Sequence, residues 1–243
     1  MIELDVDPLQ LYIGDEYVIN DNIKILQPVI REIAEFGEKD FFSVVHTITA
    51  IPSDMKSQLW DMGLDWTEMD DYELFIMLSQ TLSKDRTSIL FGNLDFQKLK
   101  PYKHKQNDGI VLADIESGII IDKMIYLRIV SYLRKAFNIT PKVEKAANAM
   151  TKQILIDEDR NKIAYSKDKP FKSFLLPLIS ALKVKQGYTK DYVLNMGYVE
   201  FMDDIARLQV INNSDHLLSG VYAGTVDMSK INKNELNWMK ELN

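Results

Sequence analysis

The sequence contains no cysteine, which excludes disulfides, thiolate catalysis and cysteine-ligated zinc together and fits a reducing compartment. Histidine is almost as scarce. The three histidines, His46, His104 and His216, stand neither with one another nor with carboxylates at metal-ligand spacing, so each reads as a surface or structural residue and no metal site is expected. The run MIELDVDPLQ lacks a basic region followed by an apolar one. The longest apolar runs fall well short of the roughly 20 residues that span a bilayer, so neither a standard secretion signal nor a membrane span is expected. No HExxH, GxSxG, Walker A or dinucleotide-binding glycine pattern occurs. An enzyme would have to be assembled from carboxylates that no motif announces, and the candidates are Asp157, Glu158 and Asp159 followed by Arg160. Adjacent positions on a helix point in different directions and do not converge on one substrate atom. The chain therefore reads as a protein without catalytic residues or cofactors.

What is present is ample apolar material and an uneven charge. With 46% hydrophobic content over 243 residues the chain can bury a sizeable core, as one large domain or two small ones. The net charge of −7 hides a strong asymmetry. Met1 to Leu82 holds seventeen acidic and four basic residues, whereas Lys123 to Lys190 holds fifteen basic and five acidic ones. Two regions of such different chemistry can attract each other or oppositely charged partners, or can simply be solvated helix faces. The lysines are spread around helices with no glycine-rich or aromatic-basic motif, which argues against nucleic acid as the partner.

The expected fold is mainly α (α+β): a helical bundle with a small N-terminal β-hairpin or meander and a second hairpin near residues 109–122. Residues 9–13 and 17–26 are β-rich on either side of Gly14-Asp15, with a further turn at Asn20-Asp21-Asn22. Pro28 marks a helix start and Gly37 its end. A second helix covers residues 38–50 and stops before Pro52, a third is capped by Ser53 and Asp54 and ends at Gly63, and Asp70-Asp71 open a fourth. Phe91-Gly92-Asn93 and Asn107-Asp108-Gly109 are turn signals. A helix follows over residues 122–138. Thr140-Pro141 has the pattern of an N-cap with proline at the first helical position, and starts a polar helix to about Ser166. Another helix begins at Pro170, with Pro177 expected to kink it. The last helices fall near residues 190–195, 198–212 and 233–242. This divides the chain into an acidic hairpin-plus-helix region (1–83), a connecting region with a hairpin (84–121) and a helical region (122–243).

Trp60, Met62, Trp66, Met69, Tyr72, Phe75 and Met77 cluster in the sequence, and Trp238 and Met239 recur at the other end. Methionines beside aromatics suit surfaces that repack around a partner helix, and they equally fill a small helical core. The segment KNELNWMKELN is short and amphipathic, so it must dock on its own body or on a neighbour.

The stretches LYIGDEYVIN, IREIAEFGEKDFFSVVHTITAIPSDMKSQLWDMGLDW, KPFKSFLLPLISAL, GYVEFMDDIARLQ and GVYAGTVDMSKINKNELNWMKEL together make the chain resemble tail assembly chaperones of phages and prophages of Gram-positive (Firmicutes) bacteria. The resemblance implies a non-enzymatic protein of the host cytoplasm. Several copies, self-associating as a homo-oligomer, would coat the tape-measure protein until tail-tube protein subunits replace them. On this reading Trp60, Trp66, Phe75 and Trp238 contact the partner. A hairpin near residues 110–122 is not expected in such chaperones, which keeps open a structural tail or head-tail connector component and a host-directed regulator acting against bacterial defence.

Overall fold

Asp7 and Pro8 start the first helix. In the computed structural model, which describes residues 6–103, 109–167 and 169–242, α1 (Pro8–Ile13) is capped by the Asp7 carboxylate, which accepts the Leu9 amide at 2.9 Å, and it closes at Gly14 with φ 81°. This corrects the reading of residues 9–13 as a strand. A capped orphan amide and a φ preset by proline outweigh the β-prone Leu, Tyr and Ile side chains. The N-terminal sheet is accordingly one antiparallel hairpin, β1 (Tyr17–Asn20) with β2 (Ile23–Ile25), turned by Asn20, whose side chain accepts the amides of Asn22 and Ile23.

Gly37, at φ 100°, joins α2 (Ile30–Phe36) to α3 (Glu38–Thr49) in a conformation that disfavours a Cβ. Phe41, Val44, Val45 and Ile48 form the buried stripe of α3. After an extended Ile51, a 3-10 turn at Pro52–Asp54 leads into α4 (Lys56–Asp61), followed by α5 (Asp71–Ser79). Asp70 and Glu73 form a reciprocal capping box at the start of α5. Next comes α6 (Lys84–Phe91), closed by Gly92, a helix absent from the sequence reading of residues 84–121. A three-stranded antiparallel sheet follows in the order β3 (Lys100–Lys103), β4 (Ile110–Asp114), β5 (Ile119–Ile121). Its β4–β5 pair is the hairpin expected near residues 109–122. His104 and the Asn107-Asp108 turn signal lie outside the described residues.

Asp122 caps α7 (Lys123–Ala136), whose buried side chains include Tyr126, Ile129, Val130 and Leu133. The next helix, α8 (Ala149–Lys167), starts well after Thr140-Pro141. Asn148 supplies the cap, accepting the Thr151 amide at 2.9 Å, and residues 140–146 have no regular structure. Pro177 stands in the first turn of α9 (Leu175–Gln186), where its missing N–H breaks no helical hydrogen bond, so no kink arises from it. The chain continues through α10 (Lys190–Leu194) to α11 (Tyr198–Tyr222), which runs past the expected end at Asn212. Residues 233–242 form a 3-10 turn at Lys233–Glu235 rather than a helix. There the Asn232 and Asn237 side chains bind the amides of Asn234 and Met239, in competition with helical bonding.

One core cluster runs from Val6 to Ile205 and draws on all three stretches into which the sequence was divided. Phe41, Phe75, Phe96, Tyr126 and Phe201 are its largest fully buried rings. A backbone bridge ties the start of α11 to the segment before α2: the Ile30 amide donates to the Met196 carbonyl at 3.0 Å and the Tyr198 amide to the Pro28 carbonyl at 3.1 Å. A smaller cluster of Leu59, Trp66, Leu74 and Ile156 joins α4 and α5 to α8.

Burial pushes the Tyr72 and Tyr198 phenols up to about 12 and raises Tyr126 as well. In the unfolded chain these groups ionise near 10. The stability they contribute is complete below about pH 10 and is lost as pH rises through the folded values near 12. Urea midpoints should fall steeply across that interval, and Tyr198→Phe should flatten the fall.

Candidate functional site

The acidic and basic regions meet where α8 packs on α4. Arg160 pairs with Asp61 and Lys152 with Asp65. Asp159, buried, accepts the Ser57 amide at 3.0 Å and the Ser57 hydroxyl at 2.6 Å. Lys123–Asp70 at 2.6 Å and Arg134–Asp71 at 3.7 Å join the same two regions elsewhere, and Arg31–Asp191 at 2.9 Å ties the acidic region to the residue just past the basic one. Part of the charge asymmetry is thus matched within the molecule. On α8, Asp157 turns to Gln153 and Arg160 while Asp159 turns to Ser57, so the neighbouring carboxylates diverge as helical spacing requires.

Beside this contact lies a cleft of about 590 Å³ whose lining includes Pro52, Trp66, Met69, Asp71, Glu144 and Lys152. Its wall is held by a buried ion pair. The Lys56 ammonium sits 2.8 Å from the Glu144 carboxylate, donates to the Ser53 carbonyl at 2.7 Å and lies 5.8 Å from the centre of the Trp66 ring. The Glu144 amide donates to the Ser53 hydroxyl at 3.1 Å, which fastens the irregular segment to the 3-10 turn. Hydrogen bonding from Lys56 holds the Glu144 carboxyl below its usual range. Trp66 is buried, and its indole N–H has no acceptor among the described residues. Lys152 also lies 5.8 Å from the centre of the Trp60 ring. An apolar floor with a charged rim is the chemistry that suits a partner's apolar side chain carried next to a charged group.

Hydrogen bonds from Lys152, and then from Thr67, push the Asp65 carboxyl down to about 2. A depressed carboxyl stabilises the fold above its unfolded value near 4 and ceases to do so as pH falls through its folded one. Acidification from about pH 4 to about 2 should therefore loosen α8 from α4. Tryptophan emission recorded in a Trp238→Phe background reads this directly, and Asp65→Asn should remove that part of the acid response.

The structure sets Trp66 in the cleft lining with Lys152, leaves Trp60 outside that lining against the Lys152 ammonium, and places the other two residues elsewhere. Phe75 is buried among Tyr72, Phe96 and Tyr126 and offers no surface. Trp238 is 51% exposed on the C-terminal tail. That tail docks on its own body through its backbone: Arg207 donates to the carbonyls of Trp238 and Lys240, each at 2.7 Å, and the Ser214 hydroxyl to that of Leu236 at 3.1 Å. Sequence reasoning missed Lys56, Glu144 and Lys152. The only local signal was Lys56 itself, one of four basic residues in the acidic stretch 1–82. Among the described residues, no group of His, Asp and Glu is placed to hold a metal ion, and no helix is long and apolar enough to cross a membrane.

Residues 167–243 match the family model described as YomV second domain. That family is phage-derived, of the Bacillus phage SPbeta type, and the match is consistent with a phage protein. No curated protein and no solved structure matches the chain. The matched stretch takes in α9 to α11 and the tail, hence Trp238 but not the cleft.

Proposed function

We propose, with the phage-derived match over residues 167–243 as premise, that this chain is a tail assembly chaperone encoded by a phage or prophage, which holds the tape-measure protein soluble before assembly. One observation carries the reading: the matched stretch leaves large apolar side chains in solvent, with Leu176 66%, Val184 75% and Tyr222 87% exposed, as is Trp238. Large apolar side chains held in solvent on several elements are what contact with another protein would cover. They stand on anchored elements, since Glu38 accepts the Phe174 amide at 2.7 Å and the Leu175 amide at 3.0 Å at the start of α9, and Arg207 holds the tail. The cleft lined by Trp66 and Lys152, with the half-exposed Trp60 ring against Lys152, offers a second contact.

Co-expression with the tape-measure protein, followed by size exclusion and mass spectrometry, tests the assignment. A soluble multi-copy complex weakened by Trp238→Ala and Trp60→Ala, with the chain missing from purified virions, is the expected result. Failure to form a complex, together with stoichiometric presence in virions, would sink it. That outcome would favour the second reading, a structural tail or connector component, for which the sheet of β3, β4 and β5 argues because such chaperones are not expected to carry it.

A further inference from the structure

The charge left over after the internal ion pairs has two opposite locations. Residues 161–190 contain seven lysines and one carboxylate, Asp168. All seven lysines face solvent. The pairs that join the acidic and basic regions draw instead on Arg31, Lys56, Lys123, Arg134, Lys152 and Arg160. Within this stretch α9 has two faces. Leu175 and Leu182 turn inward, whereas Leu176, Ser180, Lys183 and Val184, at helical spacings of four, seven and eight, share an exposed face. An apolar pair flanked by lysines is thus presented outward with no cover from its own chain.

The complement lies at the other end of the sequence. A shallow groove of about 570 Å³ runs between the end of β2, α2 and α6, with Leu26, Pro28, Phe36 and Ile89 among the apolar residues lining it and Glu16, Glu32 and Glu35 as its charged ones. No lysine or arginine lines it. Glu16 is shared with Lys24 at 2.5 Å and Glu32 accepts the Val29 amide at 2.9 Å, while Glu35 is exposed and makes no ion pair among the described residues. Carboxylates around an apolar floor are the features a lysine-flanked apolar helix face would satisfy.

We propose that the groove receives the outer face of α9 from a second copy of this chain, with Leu176 and Val184 over the apolar floor and Lys183 and Lys185 across Glu16 and Glu35. A second copy is the occupant because the same chain presents both complementary faces, and among the described residues internal pairing leaves Glu35 and the α9 lysines unmatched while taking up Glu16 only through the exposed Lys24. Donor and acceptor are different patches, so the contact is heterologous. It needs no other protein, and it uses the same Leu176 and Val184 as the tape-measure reading, so a second copy and the tape-measure protein would compete for this face. Exposed charges supply part of the attraction, so it weakens with salt, whereas the apolar part persists.

Sedimentation velocity on the full chain at ~0.1 M and ~0.5 M salt tests this, since screening lengths differ strongly between the two. The variants are Glu16→Lys with Glu35→Lys in the groove, and Lys183→Glu with Lys185→Glu on α9, each checked for native helicity by circular dichroism. Wild type should gain mass with concentration, less so at high salt. Each folded variant alone should stay monomeric, because its two faces then carry like charge. An equimolar mixture should recover association, because each variant's faces complement the other's. A monomeric wild type, a swapped variant that associates like wild type, or folded variants that fail to rescue each other would each overturn the proposal. If the wild type is monomeric and the α9 swap instead abolishes capture of the tape-measure protein, that face belongs to the tape-measure protein and not to a second copy.

Discussion

Glu144→Ala should cost the fold about 3 kcal/mol, the scale at which breaking one side of a buried ion pair leaves an uncompensated charge. The ammonium of Lys56 would remain buried with only the Ser53 carbonyl and the Trp66 ring beside it. The same change frees the irregular segment that Glu144 fastens to the Pro52–Asp54 turn. A lower urea midpoint with an unchanged slope is the expected readout. Lys56→Met combined with Glu144→Leu should cost far less, because removing both charges leaves no ion without a partner while keeping similar volume. A double-mutant cycle over the two positions isolates the pair. If Glu144→Ala proves as mild as the double variant, the pair contributes little and the wall of the cleft is held by packing.

Phe75→Ala should be at least as severe, at about 3–5 kcal/mol, because it empties a site in which four aromatic rings interlock and which can collapse only in part. Phe75 lies with ring centres 4.8 Å from Tyr126 and 6.1 Å from Phe96, and α5 is held at its N-terminus by the Asp70 cap. Trp60→Ala removes a side chain that is already solvent-facing and in loose contact with Lys152, so its effect on stability should stay within about 0.5 kcal/mol, as for most surface substitutions. Any loss of partner binding in Trp60→Ala can then be assigned to the contact itself, whereas a loss in Phe75→Ala reflects unfolding. Thermal and urea denaturation of both variants separate these cases. Equal destabilisation by the two would contradict the burial described here.

Elements whose boundaries are set by side chains close in sequence were legible. Asp70 with Glu73, Asp122 ahead of an amphipathic run, and Gly37 between two apolar stripes each carry their own cap or break, and α5, α7 and the α2–α3 corner fall where those signals put them. The failures share a physical cause. Residues 9–13 have strand-like side chains, but Asp7 and Pro8 decide the backbone. Thr140-Pro141 has the form of a helix start, yet the segment is drawn out because Glu144 serves Lys56, 88 positions earlier in the chain, and Asn148 caps the helix instead. In the tail, asparagine side chains take up the amides that a helix would need. The site divides in the same way. Aromatic clustering drew attention to Trp60 and Trp66, but Lys56, Glu144 and Lys152 come together only through folding, and no local spacing encodes a pair so far apart.

The bridge between residues 28–30 and 196–198 bears on how such a chain can be reshuffled. The boundary of the family match at residue 167 is not a boundary of folding: the start of α11 completes its backbone bonding on Pro28 and Ile30, and Tyr198 packs edge-on to Phe42 and tilted against Phe137. Genetic exchange cut at that point would deliver a helix without its edge and without its aromatic seat. Recipients able to accept the segment are therefore those that already carry a short extended run with free amide and carbonyl groups at the matching place, so inheritance of the C-terminal third is tied to a few residues near the other end of the gene.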